Sequence, residues 1–506
     1  MIVCLTKRQI STFLLPNFLY RAIYNVFFHP LHGFPGPKAA AATPLLFAWR
    51  LCNGRLTDWV TSLHEKYGEV VRIHPNELSF VGDAAWQDIF RCRPELPRPV
   101  AGPIAFPNGV LPLPTIVGTE NHTRQKRILN HGFSDRALKE QEHILQKRSD
   151  ALIDCLADQI GKSNNSPDID ICNWYYCTTF DIISEFCFSE DFRSLEDAET
   201  HPWLAGVFEG MKMGKIMTAF DHFPPLGPLV ARCARYAARD RLRRIFSWSQ
   251  EKIDRRIAQK SERPDLLKFV LENNDKQGMT RDEIDSTITV ILLTGSGDTL
   301  VAAMAALTYF ALQNPMVMER LQEEIKSAVG KNPENITVAM VSKLEYLDAA
   351  LQEAMRMHAP APGSNPRVVN RPGIQVCGIL IPQGTQVGIP HKTAYRHRSN
   401  FVEPETFLPE RWLEDPDGRF AADRKAVFEP FSVGQRSCIG KTLALAEMKL
   451  ILVKVLWHFD LVLSERNEGD WCDQKSYMAH EKKPLYVKLQ LSKLGMDRGV
   501  GKESDA

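Results

Sequence analysis

The sequence lacks several features that would assign it to other classes of protein. No Gly/Ser-rich or low-complexity segment in its 506 residues indicates a flexible linker between domains. No basic run stands out and the net charge is +1, which gives no support for binding to nucleic acid. The eleven cysteines show no paired metal-site spacing, and their odd number fits a reducing compartment better than a disulfide framework. These absences leave one large domain in a reducing compartment.

The sequence does contain enough apolar residues for a large core, because 44% of its residues are hydrophobic. Helical patterns dominate the middle of the chain, and a strand-rich section follows. Residues 280–283, TRDE, have the spacing of a capping box, so a long helix is expected to begin there and continue to about Gln313. Further expected elements are a helix that Asn314 and Pro315 begin, a helix over 344–357, short strands over 367–390 and strand-like alternation in 459–491.

Residues 431–440, FSVGQRSCIG, place one cysteine on a glycine-containing loop beside an arginine. A cysteine sulfur binds iron as the thiolate, which needs nearby positive charge, N–H donors and exclusion of water. Gly434 and Gly440 are expected to supply the positive φ angles of a tight loop around Cys438. A strongly helical run follows Gly440, so the thiolate would lie at a helix N-terminus, where the macrodipole favours negative charge.

These ten residues match every specified position of the FSxGxRxCxG pattern, and the chain resembles the cytochrome P450 family of haem-thiolate monooxygenases. A chance match has a probability of roughly 10⁻⁸ in a random window. The resemblance implies a mainly α fold with smaller β-sheet regions, in a single domain that encloses haem b with Cys438 as the axial ligand of the iron. Two other interpretations of Cys438 stay open: a buried structural cysteine and a catalytic nucleophile, although no cysteine-protease signature surrounds it.

Other members of the loop are expected to contact the cofactor. Arg436 can pair with a haem propionate, and Phe431 can cover the sulfur side. Gly440 allows close approach of the backbone.

The resemblance assigns three further cofactor contacts outside the loop. Arg367 fits a propionate-binding position after the predicted helix over 344–357. His122 and Lys126 lie in HTRQKR, which resembles the family's C-helix with its usual tryptophan and arginine replaced. A lysine can still neutralise a propionate, though without bidentate geometry. For each basic residue the alternative is a solvated surface charge.

The long predicted helix carries a second chemical feature, TGSGDTL at 294–300. Its two glycines each cost about 1 kcal/mol against alanine in a helix interior, so a function should offset them. In the family, a small-residue pair opens this helix over the iron and an acid followed by an alcohol relays protons, which implies catalytic roles for Asp298 and Thr299. Ser296 and Leu300 depart from the usual pattern, and another alignment puts Gly297 in the acid's place. A flexible helix with a capping-type Asp-Thr pair is the structural alternative.

A third feature is Glu353 with Arg356, an ExxR pair on the predicted helix over 344–357. Alone it is weak, because acid–base pairs three residues apart are common on solvated helix faces. The resemblance adds Arg411 and implies a buried cluster of the three that locks the segment behind the haem loop. We assign all three to structure, because removing one member would strand a buried charge.

The N-terminal region is expected to meet a membrane. An apolar stretch lies within residues 1–28, but Pro16 and Arg21 interrupt it, so it is a marginal span or an interfacial segment. A frayed soluble N-terminus is the alternative. A proline-rich hinge at 29–40, a catalytic domain at 41–492 and a polar tail at 493–506 would follow.

The resemblance implies a monooxygenase that inserts one atom of O₂ into a lipophilic small molecule, most like fungal members that oxidise terpenoids and polyketides. Electrons would come from NADPH through a separate NADPH–cytochrome P450 reductase, with cytochrome b5 as a further donor, since no flavin domain follows Ala506. Basic residues around the thiolate face, such as Lys441 and Lys449, would dock its acidic surface. The expected location is the endoplasmic reticulum membrane, with the catalytic domain facing the cytosol.

The substrate prediction depends on apolar residues in segments 100–117 and 201–228, which would form pocket walls in the family. The same residues could equally be ordinary core. Two other functions stay open: a haem-thiolate isomerase or dehydratase without net use of O₂, and a haem-binding protein without turnover. The wall residues that carry the prediction include Ile104, Phe106, Val110, Met213 and Phe223.

Overall fold

The structure, a computed structural model, describes residues 7–99, 106–162, 166–197, 202–223, 227–259 and 263–493. Helices form most of this part of the chain. The α-helices are α1 (Lys7–Phe27), α2 (Lys38–Ala42), α3 (Leu45–Cys52), α4 (Leu56–Tyr67), α5 (Ala84–Phe90), α6 (Thr119–Leu129), α7 (Asp135–Lys162), α8 (Ile171–Phe188), α9 (Ser194–Asp197), α10 (Pro202–Thr218), α11 (Gly227–Ala258), α12 (Leu266–Glu272), α13 (Arg281–Gly295), α14 (Asp298–Gln313), α15 (Pro315–Val329), α16 (Val338–Val341), α17 (Glu345–Met357), α18 (His391–Arg396) and α19 (Lys441–His458).

Three small sheets accompany the helices. The first has the order β1-β2-β7-β4, with β2 and β7 parallel and the other neighbours antiparallel. The second is antiparallel with the order β3-β9-β8, and the third pairs β5 with β6. The predicted mainly α fold with smaller β-sheet regions is therefore confirmed. The strands are β1 (Val70–His74), β2 (Glu77–Phe80), β3 (Asp168–Asp170), β4 (Arg367–Val368), β5 (Gln375–Val376), β6 (Ile379–Leu380), β7 (Gln386–Gly388), β8 (Phe459–Leu463) and β9 (Tyr486–Leu491).

Local sequence signals explain where several helices begin. At α13 the Glu283 amide donates to the Thr280 hydroxyl at 3.3 Å, and the Thr280 amide donates to the Glu283 carboxylate at 2.9 Å. This reciprocal pair is the predicted capping box. Pro315 is the first residue of α15, where its missing N–H costs nothing. The predicted helix over 344–357 is α17, which Leu344 precedes as the cap.

The long helix predicted from Thr280 to Gln313 is wrong as one continuous element. The chain forms α13 and α14, separated by Ser296 and Gly297. Gly297 has φ 111°, and an added Cβ would clash with the hydroxyl of Thr179 on α8. A residue without a side chain is needed at this break, which explains the glycine that a continuous helix would disfavour.

The core surrounds α8 and α14, the two helices that meet at this break. Every residue of α8 except Asn173 is buried, and α14 is buried from Leu300 to Ala311. Helix α14 packs against α8 and α17, and α19 packs against α7. In the described part of the chain, the helical run 281–313 is also the one long and apolar enough to cross a membrane, and it is mostly buried inside the protein.

The segment at 29–40 lies against the first sheet. Leu31 is fully buried, and its carbonyl accepts a hydrogen bond from the Arg72 guanidinium at 3.3 Å. The Arg72 amide donates to the Pro35 carbonyl at 2.8 Å. These contacts dock the proline-rich segment on β1, so it is a packed part of the domain surface.

Candidate active site

The Cys438 loop is folded tightly by its own backbone. The Cys438 amide donates to the Phe431 carbonyl at 2.8 Å, and the Ser437 amide donates to the Gly434 carbonyl at 3.2 Å. Gly434 has φ 79°, and an added Cβ would clash with the carbonyl of Phe90. Gly434 thus lets the loop approach the end of α5, as its sequence position predicted.

Gly440 does not have the predicted positive φ. Its φ is −89°, and it is the residue before α19, where its carbonyl accepts the Ala444 amide at 2.8 Å. Cys438 therefore lies just before the N-terminus of α19, as the sequence predicted. The positive end of the α19 macrodipole therefore faces the sulfur.

The Cys438 thiol is affected by burial and by nearby positive groups. Burial raises its pKa, whereas the Gly440 N–H and the ammonium groups of Lys126 and Lys441 lower it by a smaller amount. The residue is nevertheless exposed, so the sulfur faces open space rather than packed side chains. A thiol in this setting is ionised by a metal cation that binds it, which fits the sulfur as an iron ligand.

Two basic residues near the loop have different environments. Lys441 is exposed, and its ammonium lies 5.7 Å from the centroid of the Phe431 ring. Lys449 is buried and forms an ion pair with Asp348 at 2.5 Å. The prediction that Lys449 docks a partner protein is therefore wrong, because its charge is already neutralised inside the protein.

Lys126 on α6 holds the loop. Its ammonium donates to the carbonyl of Gln435 at 2.9 Å and to the carbonyl of Ser437 at 2.8 Å, and it lies 3.3 Å from the Ser437 hydroxyl. These three contacts use the three donors of an ammonium. In this structure Lys126 binds Ser437, the residue next to Cys438, instead of having its ammonium free for the predicted pairing with a propionate.

Arg436 is also engaged by protein groups. Its Nε contacts the Glu95 carboxylate at 2.7 Å, and only 3% of the arginine side chain is exposed. Its two terminal nitrogens donate to the carbonyls of Ile116 and Val117. Five N–H groups are available on a guanidinium, so two remain for another acceptor.

A cluster of basic groups lies beside this loop, with more cations than acids among the described residues. Burial lowers the pKa of His122 to about 4, and the charges of Arg436, Lys126, Arg98 and Arg367 lower it further. Burial likewise lowers the pKa of Arg98 to about 10 and that of Arg367 to about 9, with the same mutual repulsion. Glu95 is the acid that offsets this repulsion.

Three buried nitrogens of this cluster have no hydrogen-bond partner in the described part of the chain: Arg98 Nε, Arg367 Nε and His122 Nδ1. Unpaired buried donors next to excess positive charge favour a ligand with several anionic oxygens. The two propionates of haem b meet that requirement. The residues present therefore fit the cofactor.

Thr299 and Asp298 are not joined to each other at the helix break. Thr299 is exposed, and its hydroxyl makes no hydrogen bond within the described residues. Asp298, the first residue of α14, accepts from the Lys482 ammonium at 2.6 Å and from the Tyr176 hydroxyl at 2.9 Å. The predicted acid–alcohol pair is thus divided. The Thr299 hydroxyl has no partner among the described residues, whereas the Asp298 carboxylate is hydrogen-bonded to Lys482 and Tyr176.

The structure brings the three members of the predicted ion-pair cluster together, with no exposed side chain among them. Glu353 contacts Arg356 at 2.8 Å and Arg411 at 3.0 Å. Although burial raises the pKa of Glu353, the two guanidiniums lower it by more. Asp423 is a fourth member, 2.6 Å from Arg411, so two cations meet two anions.

The predicted wall residues divide between core and surface. Phe106 is buried and stacks on Phe246 with ring centroids 5.2 Å apart. Phe223 packs against the cluster that α3 forms with β1, and Met213 is 47% exposed. Ile104 lies outside the described residues.

Five residues described above were not found from the sequence: Arg98, Glu95, Asp423, Lys482 and Tyr176. For Glu95, Lys482 and Tyr176 the partners lie far along the chain, as with the 341 positions between Arg436 and Glu95. Asp423 is only 12 positions from Arg411, but no local motif marks it. Arg98 alone carried a weak signal, as an isolated cation in the proline-flanked triplet PRP.

Comparison with known proteins agrees with this site. The family model described as Cytochrome P450 matches residues 35–489. The chain is 36% identical to the cytochrome P450 monooxygenase astJ of Aspergillus oryzae, covering 96% of each chain. It is 37% identical to the cytochrome P450 monooxygenase efuB of Hormonema carpetanum, covering 93% of each. It is also 37% identical to the averantin hydroxylase of Dothistroma septosporum, covering 93% of this chain and 89% of that one.

These relatives are fungal enzymes, and each is matched over nearly its whole length. The match of the family model includes the Cys438 loop, the helix break and the Glu353 cluster. The chain belongs to the cytochrome P450 family and is a monooxygenase whose cofactor is haem b.

Proposed function

We propose that this monooxygenase hydroxylates or epoxidises a lipophilic intermediate of fungal secondary metabolism, of the terpenoid or polyketide class. The proposal depends on one observation: Cys438 is exposed beside a cationic cluster, while Thr299 presents an open hydroxyl from a broken core helix. The resemblance to efuB, astJ and an averantin hydroxylase supports the class of pathway.

The residues around Cys438 would hold the cofactor in a fixed orientation. Cys438 would bind the iron, and Arg98, Arg367 and His122 would bind the propionates, with the two free donors of Arg436 in support. Phe431 and Gly440 flank the sulfur. When bound, haem b supplies O₂ activation, in which the thiolate ligand favours O–O cleavage.

Thr299 is the residue that we propose for proton delivery. A hydroxyl can donate one hydrogen bond and accept others, so it can hold a water and pass a proton at the same oxygen. Thr299 makes no such bond to protein within the described residues, which leaves both capacities available. Asp298, proposed from the sequence as the acid of the relay, has one oxygen engaged by Lys482 and Tyr176 and therefore acts here as an anchor.

The electron donor in this proposal is NADPH–cytochrome P450 reductase, with cytochrome b5 as a second donor. Arg91 and Lys441 are exposed on the Cys438 side, and both charges act on the carboxyl of Glu429. Two exposed cations close to the thiolate loop suit docking of an acidic protein surface.

We also propose attachment to the endoplasmic reticulum membrane, with the catalytic domain at 41–492 in the cytosol. Helix α1 carries exposed apolar side chains that include Leu19 and Phe27, and Trp49 of α3 is 56% exposed. Six arginines occur from residue 232 to residue 244 on α11, so the expectation that no basic run stands out along the chain is wrong there. Apolar and basic side chains together favour an anionic membrane surface. The polar tail lies almost wholly outside the described residues.

The test is turnover of the full-length protein in microsomes with the reductase, NADPH and ¹⁸O₂. A panel of terpenoids and polyketides would be offered, with averantin included because it is the compound in one relative's name. The expected product carries one ¹⁸O atom. A product formed without isotope or without NADPH would indicate the isomerase or dehydratase class instead.

A further inference from the structure

Lys482 occupies a closely fitted site at the start of α14. Its ammonium lies 2.6 Å from Oδ1 of Asp298 and 3.9 Å from the centroid of the Tyr176 ring. The Tyr176 hydroxyl donates to the same Asp298 oxygen at 2.9 Å. Only 15% of the Lys482 side chain and 14% of the Asp298 side chain are exposed. An ion pair so poorly hydrated is costly to break, because either charge alone would remain without water or partner.

The titration of the partners follows from this burial. Burial lowers the pKa of Lys482, and the Asp298 carboxylate offsets part of the effect. Burial raises the pKa of Tyr176 well above 10, and the Asp298 charge raises it further. Tyr176 therefore stays a neutral donor to Asp298.

The contacts of Asp298 with Lys482 and Tyr176 act at the helix break, because of where Asp298 lies in the chain. It directly follows Gly297 at the helix break and directly precedes Thr299. On α8, the Thr179 hydroxyl donates to the Ser296 carbonyl at 3.2 Å, which fixes the other end of the break. The first backbone bond of α14 follows, with the Val301 amide 2.7 Å from the Gly297 carbonyl. Lys482 and Tyr176 both donate to Asp298. Loss of the Lys482 contact would therefore leave Tyr176 as the remaining one of these two donors at the start of α14.

Lys482 belongs to a folded segment at 475–482, which we call the C-terminal bracket. The Glu481 amide donates to the Lys475 carbonyl at 2.7 Å, and Ser476 and His480 form an isolated antiparallel bridge. His480 also hydrogen-bonds the Ala359 carbonyl at 3.0 Å. These bonds make the C-terminal bracket a stiff support, because its ends are joined and it is tied to the chain after α17.

The residue next to Lys482 contacts a different helix. Glu481 forms an ion pair with Lys212 of α10, whose ammonium lies 5.3 Å from the Tyr477 ring centroid. Two adjacent residues of the C-terminal bracket thus join α10 on one side and the first residue of α14 on the other. Glu481 and Lys482 are joined by a single peptide unit, so the two contacts are adjacent on the backbone.

We propose that Lys482 is a positioning residue for Thr299: the C-terminal bracket fixes the helix break through Asp298 and links it, through Glu481, to α10. The proposal rests on the proposed role of Thr299 in proton delivery. With the bracket in place, the Thr299 hydroxyl keeps one position at the start of α14. Without it, protons arrive less reliably, and more of the NADPH electrons leave with O₂ as hydrogen peroxide.

The first test compares full-length Lys482→Met with Lys482→Arg, and with Lys483→Met as the matched control. Lys483 is the next lysine, and its ammonium donates to the Asp470 carbonyl instead. We expect Lys482→Met to raise hydrogen exchange at the Val301 amide at least fivefold and to at least double the peroxide formed per NADPH. Lys482→Arg should restore both values, and Lys483→Met should match the parent protein.

Unchanged exchange at Val301 in Lys482→Met would overturn the proposal, whatever the peroxide yield. So would an equal rise in Lys483→Met, since that would indicate general loosening of the segment. If exchange rises but peroxide stays unchanged in both Lys482→Met and Thr299→Ala, the proposed role of Thr299 fails while the anchoring of the helix break stands.

The second test examines the link to α10. Glu481→Gln removes the ion pair with Lys212 and leaves Lys482 in place. The link predicts faster exchange both in α10 and at Val301, with peroxide rising in parallel. A rise confined to α10 would show that the two contacts act independently and would overturn the link. Circular dichroism of each variant should match the parent, so that the exchange reports local motion.

Discussion

The carboxylate of Glu353 accepts a hydrogen bond from Nε of Arg411 at 3.0 Å across 58 positions of the chain, with neither side chain exposed. Arg356 donates to both oxygens of the same carboxylate at 2.8 Å. Through Leu408 and Trp412, which also donate to it, this one acid joins α17 to the segment that precedes the Cys438 loop.

Glu353→Gln should strongly destabilise the protein. The substitution keeps the side-chain shape but leaves Asp423 as the one carboxylate facing two buried guanidiniums. We expect the free energy of unfolding to fall by about 3–5 kcal/mol in urea denaturation. The control is Glu403→Gln, which breaks the exposed pair with Arg419 and should cost about 0–1 kcal/mol. Equal losses for the two variants would contradict the role of the cluster.

Arg98→Gln should weaken retention of haem. Arg98 supplies a buried, unpaired Nε to the cationic cluster, and glutamine cannot replace its charge. We expect transfer of haem to apomyoglobin to become about tenfold faster, which corresponds to one lost charge-assisted hydrogen bond of about 1.5 kcal/mol. Arg91→Gln is the control, because Arg91 is exposed and outside the cluster. Identical transfer rates in the two variants would exclude Arg98 from propionate binding.

Thr299→Ala should increase the peroxide formed per NADPH consumed, by at least threefold, because the substitution removes the open hydroxyl. Thr294→Ala is the matched control. Thr294 is also exposed on the neighbouring turn, but its hydroxyl already donates to the Val290 carbonyl at 2.9 Å. A peroxide assay coupled to NADPH absorbance measures both quantities, and an equal yield from the two variants would remove Thr299 from proton delivery.

Stability should fall as the pH drops from about 6.5 to about 4, in part because of two stacked histidines. The rings of His358 and His480 lie 4.0 Å apart, and each has a buried nitrogen without a partner among the described residues. Burial lowers the pKa of His480 from 6.5 to about 4 and that of His358 well below 6.5. In this window the unfolded chain binds protons that the folded chain does not, so the free energy of unfolding decreases.

His480→Gln tests that assignment. Glutamine can still donate to the Ala359 carbonyl but does not titrate, so the pH dependence of urea denaturation should become shallower. His143→Gln, at an exposed position, should leave the slope of the parent protein. A parent-like slope in His480→Gln would mean that other groups carry the acid sensitivity.

The sequence predicted best those features that local chemistry determines. The capping box at Thr280 and the proline at the start of α15 need only neighbouring residues, and both are present. The spacing of Glu353 and Arg356 on one helix face is also local. The positive φ of Gly434 followed from the loop motif, although the same reasoning was wrong for Gly440.

Features set by distant segments could not be predicted from one sequence. The break at Gly297 depends on Thr179 of α8, which occupies the space that a side chain would need. Lys126 binds loop carbonyls about 310 positions away, and nothing near it in the sequence indicates them. The pairing of Asp298 with Lys482 likewise joins residues 184 positions apart. In each case burial and charge fix a partner that no local pattern encodes.

The central claim is that Cys438 ligates haem iron as a thiolate, and the carbon monoxide difference spectrum of the reduced protein tests it most directly. Thiolate ligation predicts a strongly red-shifted Soret band in freshly prepared protein. It also predicts that Cys438→His loses this band while retaining bound haem. Absence of the band in the parent protein, or its persistence in Cys438→His, would contradict the account.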